Sequence, residues 1–254
     1  MYNPYTLEGK RVLITGASSG IGRATAIECS KLGALCVLVG RNKERLEATL
    51  LELKALDASR LDAEHLAVQA DVTTKEGRAA IVAQCGQLDG VVCNAGINKT
   101  APIYFLKEEE LDEVMATNAT APMMLIHDLV SKRCIKAKAS IVFTSSIDAV
   151  TPAITTAAYG ASKAALTNFM KVCAKELAPR LIRSNAIMPG MVETPILAEM
   201  RMTDEELQND RDQYPLKRYG RPEEIAWAII YLLSDAAAWV TGSVLTIDGG
   251  CSIK

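Results

Sequence analysis

The chain has 254 residues, of which 49% are hydrophobic and 23% charged, and its formal net charge is −2. This length and composition are typical of a globular domain with a large core, and the small net charge excludes bulk attraction to nucleic acid or to an anionic membrane. The first ten residues contain no apolar run, so we expect no secretory signal and a cytoplasmic location. Residues 225–240 are the most apolar late segment, but Ser234 and Asp235 interrupt them, which argues against a membrane-spanning helix.

Short apolar runs alternate with helical patterns along the chain. In the first half, strands are predicted at residues 11–15, 35–40 and 65–70 and from residue 88, and helices at 20–32, 43–56, 75–84 and 108–132. In the second half, strands are predicted at 140–146, 182–190 and 243–250, and helices at 157–178 and 222–233. Continuous Val, Ile and Leu indicate strands buried on both faces, as in parallel sheets. We therefore predict an α/β, single-domain doubly wound Rossmann fold over residues 1–254, with a seven-stranded parallel sheet and helices on both faces.

The cysteines and histidines indicate neither a disulfide framework nor a metal site. There are seven cysteines, an odd number, and no two of them form a C-x-x-C pair. The only histidines, His65 and His127, are not spaced from a cysteine as zinc ligands would be. We predict free, buried thiols in a reducing compartment and no bound metal.

A glycine-rich turn, T-G-A-S-S-G-I-G, follows the first predicted strand and opens a helix. Its glycines let the backbone approach a phosphate, and the helix N-terminus offers free N–H groups to the anion. Such a turn by itself also fits a plain tight turn, but its position at the start of a βαβ unit favours nucleotide binding. The residues expected to bind the nucleotide here are Gly16, Ser18, Ser19, Gly20, Ile21 and Gly22.

The end of the second predicted strand indicates which dinucleotide binds. Gly40 is followed by Arg41, and the next acidic residue is Glu44. An acid at the strand end would bind both ribose hydroxyls, whereas a guanidinium binds a 2′-phosphate in a bidentate manner. We therefore favour NADP(H) over NAD(H); the alternative is that Arg41 is a solvated loop residue.

Two further strand ends carry residues expected to contact the cofactor. Asp71, with Val72, follows the third strand, and its carboxylate could accept a hydrogen bond from the adenine amino group. Asn94, Ala95 and Gly96 follow the fourth strand, where small residues would let the cofactor pass close to the backbone.

The candidate proton-transfer group lies around the fifth predicted strand. Tyr159 and Lys163 are four residues apart on a helix and share a face, and Ser146 ends the preceding strand thirteen residues before the tyrosine. A phenol is a poor base at neutral pH, but a neighbouring ammonium stabilises the phenolate and lowers its pKa. The serine hydroxyl can bind a carbonyl oxygen, so the set suits protonation of an alkoxide while a hydride arrives at carbon. Ser145 is the rival to Ser146.

In this order and at these spacings the motifs resemble the short-chain dehydrogenase/reductase family over essentially the whole chain. The matching residues are Thr15, Gly16, Gly20, Ile21, Gly22, Asp71, Asn94, Ala95, Gly96, Asn118, Ser146, Tyr159, Lys163, Asn185, Pro189, Gly190, Thr194, Asp248, Gly249 and Gly250. The resemblance implies that Tyr159 is the general acid and base, that Lys163 lowers its pKa and holds the nicotinamide ribose, and that Ser146 orients the carbonyl. It also implies a water relay from Asn118 to Lys163. Cofactor contacts are further implied at Pro189, Gly190, Val192 and Thr194.

The resemblance is nearest to bacterial 3-oxoacyl-[acyl-carrier-protein] reductases. It implies a homotetramer or dimer formed through the helices at 108–132 and 157–178. It also adds an acyl carrier protein as a candidate partner, which basic residues near the active-site mouth would contact: Lys136, Lys138, Arg180 and Arg183. Sugar or polyol, steroid and small-ketone dehydrogenases share the catalytic set and remain alternatives. A catalytically silent redox sensor is the alternative from another class, and a nucleotide-sugar epimerase is disfavoured because those enzymes usually have a longer C-terminal domain.

The substrate is expected under a charged, weakly periodic segment at residues 191–221, because an irregular insertion of this length in a compact domain is typical of a lid. Residues 97–105 and 148–154 would complete the rim. The apolar residues that favour a partly hydrophobic substrate are Ile147, Val150, Ile154, Met191, Val192, Ile196, Leu197 and Met200.

Overall fold

The computed structural model describes residues 2–56, 64–195, 197 and 203–253. Its strands form one sheet in the order β3-β2-β1-β4-β5-β6-β7, and every neighbouring pair is parallel. The strands are β1 (Arg11–Thr15), β2 (Leu35–Gly40), β3 (Leu66–Gln69), β4 (Leu88–Cys93), β5 (Ile135–Thr144), β6 (Arg183–Pro189) and β7 (Val244–Ile247). The predicted seven-stranded α/β fold is therefore confirmed.

The helices connect these strands and cover both faces of the sheet. They are α1 (Gly20–Lys31), α2 (Lys43–Leu56), α3 (Lys75–Gln84), α4 (Glu108–Met115), α5 (Ala121–Ser131), α6 (Ala157–Glu176), α7 (Asp204–Arg211) and α8 (Pro222–Leu233). A π-helical turn at Ala116–Thr120 joins α4 to α5 in the region predicted as one long helix.

Strand residues are buried alternately against the two helical layers, because successive side chains point to opposite faces. Leu13 of β1 and Phe143 of β5 pack in a core with residues of α3, α5 and α6. Their neighbours Ile14 and Val142 pack on the other face with residues of α1, α2 and α8. The strand order reverses between β1 and β4, so the connections that leave these two strands diverge to opposite faces and open a crevice at their carboxyl ends. Ligands of doubly wound sheets bind at such a crevice.

Strand β5 differs from the prediction at both ends. It begins at Ile135, and its pairing with β4 shifts register before Ser140, with Lys138 in the left-handed region at a φ of 65°. The exposed, lysine-containing start of the strand lacks the apolar run on which the prediction relied. The strand ends at Thr144 rather than Ser146, so both candidate serines lie in the turn beyond it.

The segment predicted as an irregular lid contains helix α7, which the prediction missed. Thr203 starts this helix with a capping box: its hydroxyl accepts from the N–H of Glu206, and the Glu206 carboxylate accepts from the N–H of Thr203. The helix is polar around almost its whole circumference, so hydrophobic periodicity could not reveal it. Two predicted lid residues, Ile196 and Met200, lie outside the described residues.

Within the described parts of the chain, no helix is both long and apolar enough to cross a membrane. All seven cysteines are free thiols, and six of them are buried while Cys251 is partly exposed. The prediction of free thiols is confirmed, and that of burial holds for all but Cys251. Among the described residues, no group of three or more His, Cys, Asp or Glu side chains is arranged to hold a metal ion.

Candidate active site

The carboxyl ends of the central strands open into one cleft with a volume of about 790 Å³. It runs from the end of β2 to the start of α6. All but two of the predicted site residues line it, and the exceptions are Gly22 and Asn118. Residues that lie far apart in the sequence are thus brought together as predicted. Gly22 and Asn118 lie directly behind the wall of the cleft.

The glycine-rich turn has the backbone that its sequence predicts. Gly16 and Gly20 adopt φ values of 68° and 51°, in the left-handed region that glycine adopts without strain. A Cβ on Gly22 would lie 2.3 Å from the Gly16 carbonyl oxygen, so this glycine lets α1 pack on the turn. Ser19 at the N-cap makes no side-chain capping bond, and the first turn of α1 holds no acid. The free N–H groups and positive dipole end of the helix therefore suit the phosphates of a dinucleotide.

The end of the cleft beside β2 carries two arginines and no described acid at the strand end. Arg41 follows the strand, and Arg45 lies one helical turn further on. Asn42 accepts a hydrogen bond from the N–H of Arg45 at 2.8 Å, which fixes the start of α2. Both arginines are exposed. The sequence reading missed Arg45, although its i, i+4 spacing from Arg41 was a usable signal.

Asp71 lies across the cleft from these arginines. Burial acts to raise its pKa, but hydrogen bonds from the hydroxyl of Thr73 at 2.7 Å and its N–H at 2.9 Å, together with the charge of Arg41, hold the pKa below its ordinary value. The carboxylate is therefore ionised at neutral pH and can accept a hydrogen bond from a ligand.

Asn94 links the carboxyl ends of three central strands through its backbone and its side chain. Thr15 Oγ1 accepts hydrogen bonds from the N–H groups of Asn94 at 2.9 Å and Ala95 at 3.0 Å. The Asn94 amide donates to the Thr15 carbonyl, and its Oδ1 accepts from the Thr144 hydroxyl at 3.3 Å. These bonds join the ends of β1, β4 and β5, so the floor of the cleft is a fixed backbone surface.

The two candidate serines point in opposite directions. Ser145 Oγ is buried and lies 2.6 Å from Oγ1 of Thr167, a buried residue of α6. Ser146 Oγ accepts from the N–H of Asp148 at 3.2 Å, and its hydroxyl lies beside the Tyr159 phenol and acts to lower the pKa of that phenol. Consecutive residues in extended backbone project to opposite sides, so only Ser146 faces the tyrosine.

Tyr159 and Lys163 lie side by side in the protein interior, and burial favours the neutral form of each side chain. The lysine is 3% exposed; its Nζ donates to the Thr144 carbonyl at 2.8 Å and lies 5.6 Å from the centroid of the Tyr159 ring. Burial lowers the pKa of Lys163 to about 8. Burial also raises the pKa of Tyr159 to about 12, with the Ser146 hydrogen bond acting to lower it and the charge of Asp148 to raise it. At neutral pH the pair is therefore an ammonium beside a neutral phenol. That Lys163 lowers the pKa of Tyr159 stays a prediction.

Asn118 lies fully buried in the π-helical turn. Its Oδ1 accepts from the N–H of Ile97 at 2.8 Å, and its Nδ2 donates to the Ile97 carbonyl at 2.9 Å and to Ser162 Oγ at 3.1 Å. A Cβ on Gly96 would lie 3.1 Å from Asn118 Oδ1 and 3.4 Å from Lys163 Nζ, so the glycine separates the two side chains. Both N–H groups of the Asn118 side chain are thus used within the protein, and its Oδ1 accepts one hydrogen bond.

Several residues at the site were not found from the sequence. The carbonyl of Thr144 anchors Lys163, and the Tyr214 hydroxyl accepts from the N–H of Met191 at 3.1 Å, which ties the segment after α7 to the loop after β6. Cys251 and Ser252 also line the cleft. Nothing in the local sequence pattern marks these residues, because their contacts join distant parts of the chain.

The four basic residues were expected at the mouth of the cleft, but they lie towards the amino ends of β5 and β6, whereas the cleft opens at the carboxyl ends of the strands. That expectation is therefore wrong. Lys136 and Lys138 lie in the first half of β5, and Arg183 begins β6. Arg180 donates to the carbonyl of Ile135, the first residue of β5. The cleft opens at the far ends of these strands, and a ten-residue strand separates its ends by roughly 25–30 Å.

The chain resembles known proteins over nearly its whole length. A family model described as enoyl-(acyl carrier protein) reductase matches residues 16–252. The 3-oxoacyl-[acyl-carrier-protein] reductase of Thermotoga maritima is 36% identical over 247 residues, covering 97% of this chain and 99% of that protein. The glucose 1-dehydrogenase of Gluconobacter oxydans is 34% identical over 250 residues, covering 96% and 92%.

A solved structure supports the same assignment. The crystal structure of a short-chain type dehydrogenase/reductase from Mycobacterium marinum has a TM-score of 0.88 and 29% identity, covering 99% of this chain and 98% of that one. The resemblance predicted from the sequence motifs is confirmed by these matches. The chain belongs to the short-chain dehydrogenase/reductase family of oxidoreductases.

Proposed function

We propose that this protein is an NADP(H)-dependent oxidoreductase that interconverts a ketone and a secondary alcohol. The observation that carries the proposal is that Ser146, Tyr159 and the buried Lys163 line one cleft, with Lys163 Nζ 5.6 Å from the centroid of the Tyr159 ring, and that the other end of this cleft suits a dinucleotide. The group contains a proton donor, a charge that favours its anion and a hydroxyl that binds a carbonyl oxygen.

Each of these side chains has one task in the proposed reaction. A nicotinamide bound in the cleft would supply or accept the hydride. Ser146 orients the carbonyl, and Tyr159 donates its proton to the oxygen of the substrate. Lys163 holds the ribose and stabilises the phenolate that remains, and a water relay by way of Asn118 returns the proton. Because burial raises the pKa of Tyr159, its phenol carries at pH 7 the proton that reduction requires.

The preference for NADP(H) over NAD(H) rests on the end of β2. Arg41 and Arg45 both line the cleft there and are exposed, so they can turn to a 2′-phosphate without disturbing the core. Gly40, where an acid would bind both ribose hydroxyls, carries no side chain to repel that phosphate.

The proposed substrate is a 3-oxoacyl thioester, and the segment at 191–221 is proposed to close over it. The name of the Thermotoga maritima relative supports this substrate, as do apolar residues that line the cleft, such as Ile147, Met191 and Leu197. The name of the Gluconobacter oxydans relative supports the alternative, a sugar or polyol. A carrier protein would have to contact the cleft mouth through residues other than the four basic ones expected from the sequence.

The experiment that tests this function is oxidation of NADPH and of NADH by the purified protein. The substrates to test are an acetoacetyl thioester, ketosteroids, and a panel of sugars and polyols that is assayed with the matching oxidised cofactors. Thioester turnover with NADPH, lost in Tyr159→Phe, is expected. Tight NADPH binding with no turnover on any substrate would instead favour the silent redox sensor.

Assembly as a homotetramer or dimer is part of the proposal. Ala157, Ala161 and Ala164 form an exposed stripe of small side chains on α6, which permits close approach of a second helix. Light scattering on the eluted protein measures the mass directly, and a monomer at micromolar concentration would contradict this assembly.

A further inference from the structure

One polar side chain at the substrate end of the cleft has an oxygen without a hydrogen-bond partner among the described residues. Asn98 lies two residues after Gly96 and lines the cleft. Its Oδ1 is buried and accepts no hydrogen bond, and no other buried side-chain oxygen or nitrogen among the described residues shares that condition. A buried acceptor without a donor is destabilising, and such groups are rare in folded proteins. The Asn98 oxygen therefore lacks a donor, and a molecule bound in the cleft that Asn98 lines is the remaining source of one.

A second acceptor lies beside the proposed proton donor. Asp148, two residues after Ser146, also lines the cleft and is half-buried. Its Oδ1 accepts from the N–H of Ala153 at 3.2 Å and closes the turn that follows Ser146, and its Oδ2 makes no hydrogen bond with a described residue. Burial raises the pKa of Asp148, and no basic side chain among the described residues offsets that effect.

The charge of Asp148 does not help the proton transfer, because it raises the pKa of Tyr159 and so opposes the phenolate. A carboxylate in this position also repels anionic groups of a ligand, whereas it attracts O–H and N–H donors. Asn98 lines the same cleft, and its buried Oδ1 has no donor. Both side chains therefore favour a ligand that brings hydrogen-bond donors.

We propose that Asn98 and Asp148 are specificity-determining residues that accept hydrogen bonds from O–H or N–H groups of the substrate near its reacting carbonyl. This inference rests on the proposed function and narrows its substrate class to ketones that carry such donors. Two sources supply that chemistry, namely the hydroxyl groups of a sugar or polyol and the amide N–H groups of the pantetheine arm of a thioester. A ketone that carries neither leaves Asn98 Oδ1 without a donor, as it is in the free protein, and takes water from the half-buried Asp148 without replacing it.

The expected difference in affinity between ketones with and without hydrogen-bond donors follows from these unpaired acceptors. A site built to bind a substrate donor rejects the analogue that lacks it, because the protein group loses water without gaining a partner. Asn98 Oδ1 is buried and Asp148 is only half-buried, so we expect a donor-bearing ketone to bind at least about tenfold more tightly than its methylated analogue.

The test measures binding of matched ketone pairs to the protein saturated with NADP⁺, where no reduction occurs. One pair is dihydroxyacetone and its di-O-methyl ether. The other is the acetoacetyl thioester of N-acetylcysteamine and the same thioester with its amide nitrogen methylated. Calorimetry gives the ratio of affinities within each pair, and the pair with the larger ratio identifies the source of the donors.

The variants separate a hydrogen-bonding role from a structural one. Asn98→Leu and Asp148→Leu should bring the ratio of the preferred pair close to one, whereas Asn98→Asp and Asp148→Asn retain an acceptor oxygen and should keep most of it. A ratio within one sample does not depend on the folded fraction, so partial unfolding of a leucine variant leaves the comparison valid.

The outcomes for this inference and for the proposed function can be told apart. Equal affinities within both pairs for the wild-type protein, or no binding of either donor-bearing ketone, would overturn the inference, even if NADPH-dependent reduction of other ketones upholds the function. A ratio that survives in both leucine variants would also overturn it. Donor-dependent binding without reduction by NADPH or NADH would uphold the specificity role and refute the proposed reaction.

Discussion

Replacing Lys163 by methionine should make the stability of the protein less dependent on pH. Burial lowers the pKa of this lysine to about 8 from 10.5, so the folded state loses the proton more easily than the unfolded chain. Below the folded pKa the full cost of the buried ammonium is present, and stability recovers as the pH rises from about 8 towards 10.5. The linkage relation gives a cost of about 3 kcal/mol at pH 7 and about half of that at pH 9.5.

Urea denaturation of wild type and Lys163→Met at the two pH values measures this difference. The stability of the variant relative to the wild type should fall by about 2 kcal/mol, or ~4–8 °C in Tm, between pH 7 and pH 9.5. The lost hydrogen bond to the Thr144 carbonyl adds nearly the same cost at both pH values, so it cancels in the comparison. Lys171→Met, at an exposed position on the same helix, is the matched control. Equal differences at both pH values for Lys163→Met would refute the assignment of a costly buried charge.

Three further predictions concern the cofactor and the proton donor. Arg41→Asp should lower the NADPH-to-NADH ratio of kcat/KM by about tenfold or more. The control Lys43→Ala, which replaces an exposed lysine near Glu47, should leave this ratio unchanged. An unchanged ratio in Arg41→Asp would show that Arg41 does not bind the 2′-phosphate. Ser146→Ala should lower kcat by about two powers of ten or more, and Ser145→Ala should mainly cost stability through its bond to α6; the reverse order of kcat losses would contradict the choice of serine. Lys163→Ala should shift the oxidative pH–rate profile to higher pH, and a rate loss with an unshifted profile would confine this lysine to ribose binding.

The glycine turn and the Tyr159–Lys163 pair could be predicted because their geometry is local. A tight turn needs glycine at positions with positive φ, and two residues four apart on a helix share a face whatever the rest of the chain does. Continuous apolar runs likewise predicted the central strands, since both faces of a parallel sheet are buried. The start of β5 and helix α7 escaped prediction because their residues are exposed and show no apolar periodicity.

The four basic residues show that closeness in sequence does not imply closeness in the folded protein. Lys136 precedes Ser146 by only ten residues, yet it lies at the other edge of the sheet because an extended strand intervenes. Arg45 shows the converse, since a helix brings it back to the end of the cleft beside Arg41.

The sequence by itself determined the fold class, the family and the candidates for proton transfer, because each depends on spacing within one element or on the order of motifs. Only the tertiary structure decided which serine faces Tyr159, that burial leaves an ammonium beside a neutral phenol, and that Asn98 has no partner within the described chain. The direction of a side chain, its loss of water and its hydrogen-bond partners depend on contacts between segments far apart in sequence, and those contacts exist only once the sheet has assembled.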